Sequence, residues 1–287
     1  MIPGSGTDYI NLRKSRLEVK CNITKPDGSS AGSNLVGPIN LTLHSLFQQV
    51  EVIVGDKNIT ASVGPNHSFK ALIDILFTRG ESLKTTKLEA ELFAKDTGTL
   101  DGVPPSNQGS LMERTKYFNG SNVVQLEGPL RIDAAHQDKL LLNGVPITFR
   151  FSPSPDKLVL MHKADTPYKM NILDARLKIC TLKVNPVMLL AHDQALEESD
   201  VVYAYWKSHV KSLTIPSGVS SFLAEDVFNG ERPGRLIIGF INNKGYAGSP
   251  VMNPNGISKL DFTVNSTSVP HVPFRPDMSQ GFLPQHF

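Results

Sequence analysis

Residues 50–59 read "VEVIVGDKNI", and residues 260–269 read "LDFTVNSTSV". Each opens on an apolar residue, follows with an acid, alternates through a β-branched residue to Val, breaks at two turn formers and closes on Ile or Val. A period of two sends successive side chains to opposite faces of a strand, and a pair such as Gly55-Asp56 supplies a tight reversal. The chain therefore writes one strand and turn twice, 210 positions apart. Two shorter likenesses keep the same order: "IPGSG" at 2–6 with "TIPSG" at 214–218, and "RLEVKCNI" at 16–23 with "RLIIGFI" at 235–241. Three collinear likenesses point to an internal duplication. The competing reading is convergence, because amphipathic strands resemble one another.

Outward from these segments, strand signals dominate. "YINLRKSRLEVKCNI" alternates most clearly through Leu17, Val19, Cys21 and Ile23, and runs into the turn-forming loop "TKPDGSSAGSN". "INLTLHSLFQQVEV" starts with one or two helical turns and changes to period two at Val50. "HSFKALIDILFTRG" at 67–80 is the clearest helix, with Phe69, Leu72, Ile73, Leu76 and Phe77 on one face. "TTKLEAELFAKD" at 85–96 reads as a second helix carrying Leu88, Leu92 and Phe93. Residues 97–122, rich in Gly, Pro, Ser and Asn, read as a long surface loop. Strands resume in "VVQLEGPLRID", "KLLLNGVPITFRFSPS", "KLVLMHKAD" and "YKMNILDARLKICTLKVNP", with turns at Asn143-Gly144 and Pro153-Ser154. "PVMLLAHDQALEES" at 186–199 reads as a short helix connecting two domains.

Composition narrows the function classes. The 287 residues carry 29 Lys+Arg against 27 Asp+Glu, a net charge of +2, with the basic residues scattered. That argues against a dedicated nucleic-acid surface. At 40% hydrophobic and 20% charged, with 22 Gly and 20 Pro, the chain is globular and rich in turns. The two cysteines, Cys21 and Cys180, each sit in an apolar-alternating run and read as buried reduced thiols rather than a disulfide. No apolar stretch is long enough to span a membrane, and "MIPGSGTDYI" lacks the features of a signal peptide. Sequons at Asn22, Asn40, Asn58, Asn66, Asn119 and Asn265 read as chance products of a β protein rich in Ser, Thr and Asn.

No nucleophile elbow, Walker loop, dinucleotide fingerprint, His-Glu-x-x-His or Cys-x-x-Cys occurs. Two polar clusters come nearest to catalytic or metal sites: Asp133, His136 and Asp138 in "DAAHQD", and His192, Asp193, Glu197 and Glu198 in "AHDQALEE". On a helix His192 has Leu196 four positions on, where a metal site needs a ligand. Both clusters read as solvated faces or structural hydrogen-bonding groups. Tyr203, Tyr205 and Trp206 in "VVYAYWKSHV" fit strand packing better than a sugar-stacking platform. No catalytic, cofactor-binding or metal residue is assigned, and the chain reads as a non-enzyme without cofactors.

The order of segments then carries a resemblance. "IPGSGTDYINL", "VGPINLTLHSLFQQVEVIVGDKNIT", "FKALIDILFTRG", "ELFAKDTG", "QDKLLLNGVPITFRF", "ILDARLKICTLKVNPVMLLAHDQALE", "KSLTIPSG" and "PGRLIIGFINNKGYAGSPVMNP" together resemble the hexon-like major capsid proteins of Polinton and adintovirus-type DNA viruses and integrated elements. The likeness extends from Ile2 to about Pro276. It implies a mainly β double jelly roll, two tandem β-sandwiches with a few short helices: a first roll over 1–195 and the opening portion of a second over 196–287. Compared with the family, the sequence starts late and stops early, which implies a first roll lacking its first strand and an incomplete second roll. The implied function is a structural virion protein, a subunit of a trimeric, pseudo-hexagonal capsomer in an icosahedral capsid. Its partners would be itself as a homotrimer, neighbouring capsomers and penton or minor capsid proteins, with no specific nucleic acid and no membrane span. Residues 97–122 would decorate the outer face or the trimer seam. Two rivals stand beside it: a domesticated or decayed capsid-derived protein acting as a binding module in a cell, and an unrecognised β-sandwich hydrolase or lectin.

Overall fold

A computed structural model describes residues 1–2, 8–60, 67–95, 104, 109–142, 144–163, 167–240 and 257–275. In chain order the elements are β1 (Asp8–Thr24), β2 (Val36–Pro38), α1 (Thr42–Ser45), β3 (Phe47–Val54), β4 (Lys57–Asn58), α2 (His67–Thr78), α3 (Glu81–Lys84), a 3-10 turn (Lys87–Glu91) and α4 (Ser110–Tyr117). They continue with β5 (Val124–Pro129), β6 (Ile147–Pro153), α5 (Asp156–Val159), β7 (Leu160–His162), β8 (Lys169–Lys183), α6 (Pro186–Glu198), β9 (Thr263–Val264) and β10 (Thr267–Ser268). The protein is thus mainly β, with sheets and a few short helices, as its alternating patterns imply.

Strand β1 organises the first sheet, lying between β5 and β8 and antiparallel to both. Leu17, Val19, Cys21 and Ile23 alternate inward and are buried. The β1/β8 register jumps from Asn11↔Cys180 to Arg16↔Lys178, so residues 12–15 bulge opposite a single residue. Ser15 keeps the bulge satisfied: its hydroxyl donates to Asn11 O (2.8 Å) and accepts from the Cys180 N–H (3.1 Å).

The second sheet has the order β4-β3-β6. Val50 and Val52 of β3 and Ile147 of β6 join Leu17, Val19 and Cys21 of β1 and Leu126 of β5 in one apolar core, which is what two half-buried sheets require. Phe47 and Phe151 meet edge-on within it, with centroids 5.1 Å apart. A separate β2-β7 pair is covered by α4, whose Leu111 and Thr115 close over Gly37. Strand β8 is a long edge whose outer face carries Asp174, Arg176 and Lys178; Lys178 pairs with Glu127 at 2.9 Å and with Glu18 at 2.5 Å.

The twin segments adopt the same hairpin. Val54↔Lys57 and Ile53↔Asn58 pair in the first, and Val264↔Thr267 and Thr263↔Ser268 pair at the corresponding places in the second. One residue beyond each ladder the likeness continues, with Ile59 N–H donating to Val52 O (2.9 Å) and Val269 N–H to Phe262 O (2.7 Å). The turns differ in detail: Gly55 has φ 58°, whereas Asn265 and Ser266 are both left-handed at φ 50° and 64°. The hairpins belong to different sheets, β4-β3-β6 and β10-β9.

Several expectations need correction. Of the helix expected over 85–96 only the 3-10 turn Lys87–Glu91 forms, preceded by the short α3 that ends at Lys84; Thr85 and Thr86 hydroxyls donate back to Glu81 and Ser82 carbonyls and Leu92 turns left-handed at φ 55°. The surface loop expected over 97–122 contains α4, with Leu111, Arg114 and Thr115 buried. Its polar sequence conceals the helix, which is held by tertiary packing on β2. "VVYAYWKSHV" and the described part of "RLIIGFI" form no strand, since neither run has a ladder partner among the described residues. Residues 139–142 meet the sheet only through the isolated bridge Ile10↔Leu141. Most of "IPGSG" and Asn143 lie outside the described residues. Cys21 and Cys180 are free thiols, Cys21 buried and Cys180 half-buried, and burial pushes the Cys21 pKa up to about 12.

Gly37 offers a direct test of the α4/β2 contact. A Cβ there would collide with Thr115 Oγ1 and lie 3.0 Å from Leu111 Cδ1. Gly37→Ala is expected to lower unfolding free energy by about 1–3 kcal/mol in urea titrations. Gly239→Ala, which meets nothing within 4 Å, should stay within about 0.5 kcal/mol of the parent. Equal stability of the two variants would contradict the packing.

Candidate functional site

The densest gathering of chemistry-bearing side chains lies under α1 and α2. The turn α1 delivers His44 to the interior, and α2 places His67, Lys70 and Asp74 at one- and two-turn spacing along its length. The 3-10 turn ends on Glu91, and Arg131 follows β5 two residues after Pro129. Arg131 is 2% exposed and grips Glu91 with both arms, Nε to Oε2 at 2.9 Å and Nη2 to Oε1 at 2.8 Å. Its remaining arm donates to Asp74 Oδ2 at 3.1 Å. His44 Nε2 stands 3.3 Å from Glu91 Oε2, a close approach without hydrogen-bond alignment, while His44 Nδ1 and His67 Nε2 are 3.3 Å apart. Gly128 gives this cluster room: a Cβ there would lie 2.5 Å from Glu91 Cγ and 2.8 Å from Leu43 Cδ2. Left-handed leucines flank the cluster, Leu41 at φ 54° and Leu92 at φ 55°, a costly backbone state fixed by the surrounding packing.

Burial sets the protonation states. It pushes His44 down and His67 well down, and for His67 the neighbouring His44, Lys70 and Arg131 add to the effect. Burial alone would raise the Glu91 carboxyl, but His44 and Arg131 together bring it below its ordinary value. The arrangement is therefore a carboxylate and a guanidinium sealed against two neutral imidazoles. It holds charge in place, and His67 also lines the cleft beside Lys70 and Asp133.

Two residues beyond Arg131, Asp133 starts a second, partly open group. Lys70 Nζ lies 2.5 Å from Asp133 Oδ1, and the cleft beside them is lined by Gln49, Thr60 and His67 together with apolar β3 side chains. The stretch after α6 crosses its rim. Ser208 N–H donates to Asp133 Oδ2 (3.1 Å) and its hydroxyl to Oδ1 (3.0 Å), while the Tyr205 hydroxyl reaches Ile59 O at 3.4 Å. Further along the rim, Leu142 N–H donates to the Tyr203 hydroxyl (3.1 Å) and Lys139 Nζ to Val202 O (2.9 Å).

The structure separates the clusters picked out by sequence. Asp133 joins Lys70 and Ser208, His136 approaches Asp74 at 3.8 Å, and Asp138 pairs with Arg13 at the surface. On α6, His192 Nδ1 is 2.8 Å from the Tyr9 hydroxyl and the two rings stack, which makes it a docking contact of the helix. Trp206 is 86% exposed, so packing does not explain it as the alternation implied. Among the described residues no group of three or more His, Cys, Asp or Glu is arranged to hold a metal ion. No helix of the described residues is long and apolar enough to cross a membrane. The buried network itself escaped sequence reading because His44, Glu91 and Arg131 come from distant segments. The available signal was a charged or imidazole side chain among apolar neighbours in each of "LTLHSLF", "LEAELF" and "GPLRID".

No family model matches the chain. It is similar to an uncharacterized protein of Caenorhabditis elegans, 21% identical over 295 residues, an alignment covering 96% of this chain and 68% of that protein.

Truncating one partner of the buried pair should cost far more than removing both. Glu91→Ala, which leaves Arg131 with half its partners, is expected to destabilise by about 3–5 kcal/mol, and Glu91→Leu with Arg131→Met by distinctly less. A Glu91→Ala cost below about 1 kcal/mol, the range of exposed pairs, would contradict the reading. A pH series gives a second check. His44 and His67 are held below the ordinary value of about 6.5, so the unfolded chain takes up their protons first and stability falls as pH drops below that value. The Glu91 contribution, present above the unfolded carboxyl range, is lost only in stronger acid. The groups facing the imidazoles are Glu91, Arg131, Asp74 and Lys70. Melting temperatures measured from pH 7.5 to 5 should fall less steeply for His67→Gln than for the parent; parallel curves would contradict the assignment.

Proposed function

We propose that the chain is a structural protein: a hexon-type, double jelly-roll capsid subunit that associates as a trimer into a pseudo-hexagonal capsomer. The observation that carries this reading is the twin hairpin, equivalent register for register at positions 210 apart yet belonging to two separate sheets. A duplicated β-sandwich unit accounts for that repeat more economically than chance. The facing three-stranded sheets of the first part supply one sandwich, and the collinear segments from "IPGSGTDYINL" to "PGRLIIGFINNKGYAGSPVMNP" supply the family likeness. On this reading the buried Arg131–Glu91–His44 cluster is an internal brace and the chain performs no catalysis. Cyclic three-fold symmetry would let identical subunits bury extensive surface in a closed ring.

A second reading rests on the nematode relative. A similar sequence in an animal fits a capsid-derived gene resident in a cellular genome, working as a binding module in place of a shell. Both readings keep the fold and differ in assembly.

Light scattering coupled to size-exclusion chromatography distinguishes them. The capsomer reading expects a particle three times the 31.4 kDa chain mass over a wide concentration range. A stable monomer throughout would contradict it.

A further inference from the structure

We propose that Lys70 and Asp133 form an intramolecular isopeptide bond, the Lys70 amine condensing with the Asp133 carboxyl into a covalent tie between α2 and the segment after β5. The bond needs only the fold, and it holds whether or not the chain forms a trimer.

The two groups are already in contact. Lys70 Nζ lies 2.5 Å from Asp133 Oδ1, within reach of the carboxyl carbon that bears that oxygen. Both side chains are withdrawn from solvent, at 17% and 9% exposure. In the other lysine–carboxylate pairs of the described residues, those of Lys84, Lys95, Lys178 and Lys259, at least one side chain is half exposed or more. Water competes for the reacting groups there. Around Lys70 and Asp133 the cleft is lined instead by Val50, Val52, Ile59, Ile132 and Ala134. Apolar walls penalise the charged forms, which favours passing a proton from the ammonium to the carboxylate and leaves a free amine facing a neutral acid.

Two neighbours supply what the condensation needs. Ser208 reaches Asp133 from the strap of residues 202–208, its N–H donating to Oδ2 (3.1 Å) and its hydroxyl to Oδ1 (3.0 Å). A backbone donor fixed on Oδ2 is placed to stabilise the charge that builds on that oxygen when nitrogen adds to Cγ. His67 stands one turn before Lys70 on α2 and lines the same cleft, and burial keeps its imidazole neutral and able to take a proton.

The ammonium passes one proton to Oδ1, and the amine nitrogen adds to Cγ. His67 then takes a second proton from that nitrogen and returns it to Oδ1, which leaves as water. The Nζ–Cγ bond forms, the Cγ–Oδ1 bond breaks, the last proton stays on the amide nitrogen, and no oxidant or further reactant is required. About 30 Å³ of free space in the cleft gives the departing water room. In the product Oδ2 is the amide oxygen and keeps the Ser208 N–H. The tie fixes α2 next to Ile132 of the core in a chain whose two cysteines are free.

Intact-mass spectrometry of the folded, purified full chain tests the bond. The expected mass is one water below that of the sequence, and tryptic digestion should yield a branched peptide joining the fragments that hold Lys70 and Asp133. Lys70→Arg, which keeps the cation and removes the amine, is expected to restore the full mass. A parent chain at full mass would overturn the proposal, as would a water loss that persists in Lys70→Arg or maps to other residues. In His67→Gln the bond is expected to appear about a hundredfold more slowly after refolding, and appearance at the parent rate would remove His67 from the reaction.

Discussion

The tripeptide Arg131-Ile132-Asp133, extended at Ile132 and entering a 3-10 turn at Asp133, is the point on which the rest of the structure turns. Period-two geometry sends Ile132 into the main core, where it is 5% exposed, and places Arg131 and Asp133 on the other side. Arg131 enters the sealed network with Glu91, Asp74 and, through Glu91, His44. Asp133 meets Lys70 of α2 and Ser208 of the strap. One short stretch after β5 thus ties a sheet, the helical layer above it and the later third of the chain. Desolvating a guanidinium and a carboxylate is costly, and bidentate geometry with further partners offsets that cost. Such a network specifies one arrangement of α1, α2 and the 3-10 turn over β3, because any slip leaves a buried charge alone.

The ion cluster packed against the two sheets provides rigidity where no disulfide is present among the described residues. The outer sheet carries the Glu18–Lys178–Glu127 ladder. Exposed large apolar side chains occur on both parts of the chain, among them Phe77 and Leu173 before residue 186 and Val187, Leu190 and Trp206 after it.

Sequence periodicity revealed the long strands and the twin hairpin because both are local. β1 and β8 alternate over many residues, and α6 carries Asn185 as N-cap with Pro186 behind it. The helix α2 was legible but its buried face was not: Ala71 and Ile75 point inward, while Leu76 and Phe77, expected on the apolar face, are exposed. Elements made by tertiary contact were not legible. α4 reads as loop because its helicity depends on Leu111 and Thr115 finding Gly37, a glycine 74 and 78 positions earlier. The segment 85–96 reads as one helix because nothing local reveals that threonine back-bonding and a left-handed Leu92 will break it. The ion network was hidden for the same reason: charge complementarity between residues 44, 91 and 131 exists only after folding. Of the clusters chosen by proximity in sequence, only Asp133 proved central, and it did so through partners on α2 and the strap.

The claim beneath the account is that one β-sandwich plan is used twice in a subunit that forms a three-fold ring. A single-particle electron microscopy reconstruction of the purified full chain tests it directly. The account predicts a three-fold particle with six β-rich lobes, the hairpin at 53–58 in one lobe of each subunit and the hairpin at 263–268 in the other. A particle without three-fold symmetry, or one with both hairpins packed in a single sandwich, would contradict it.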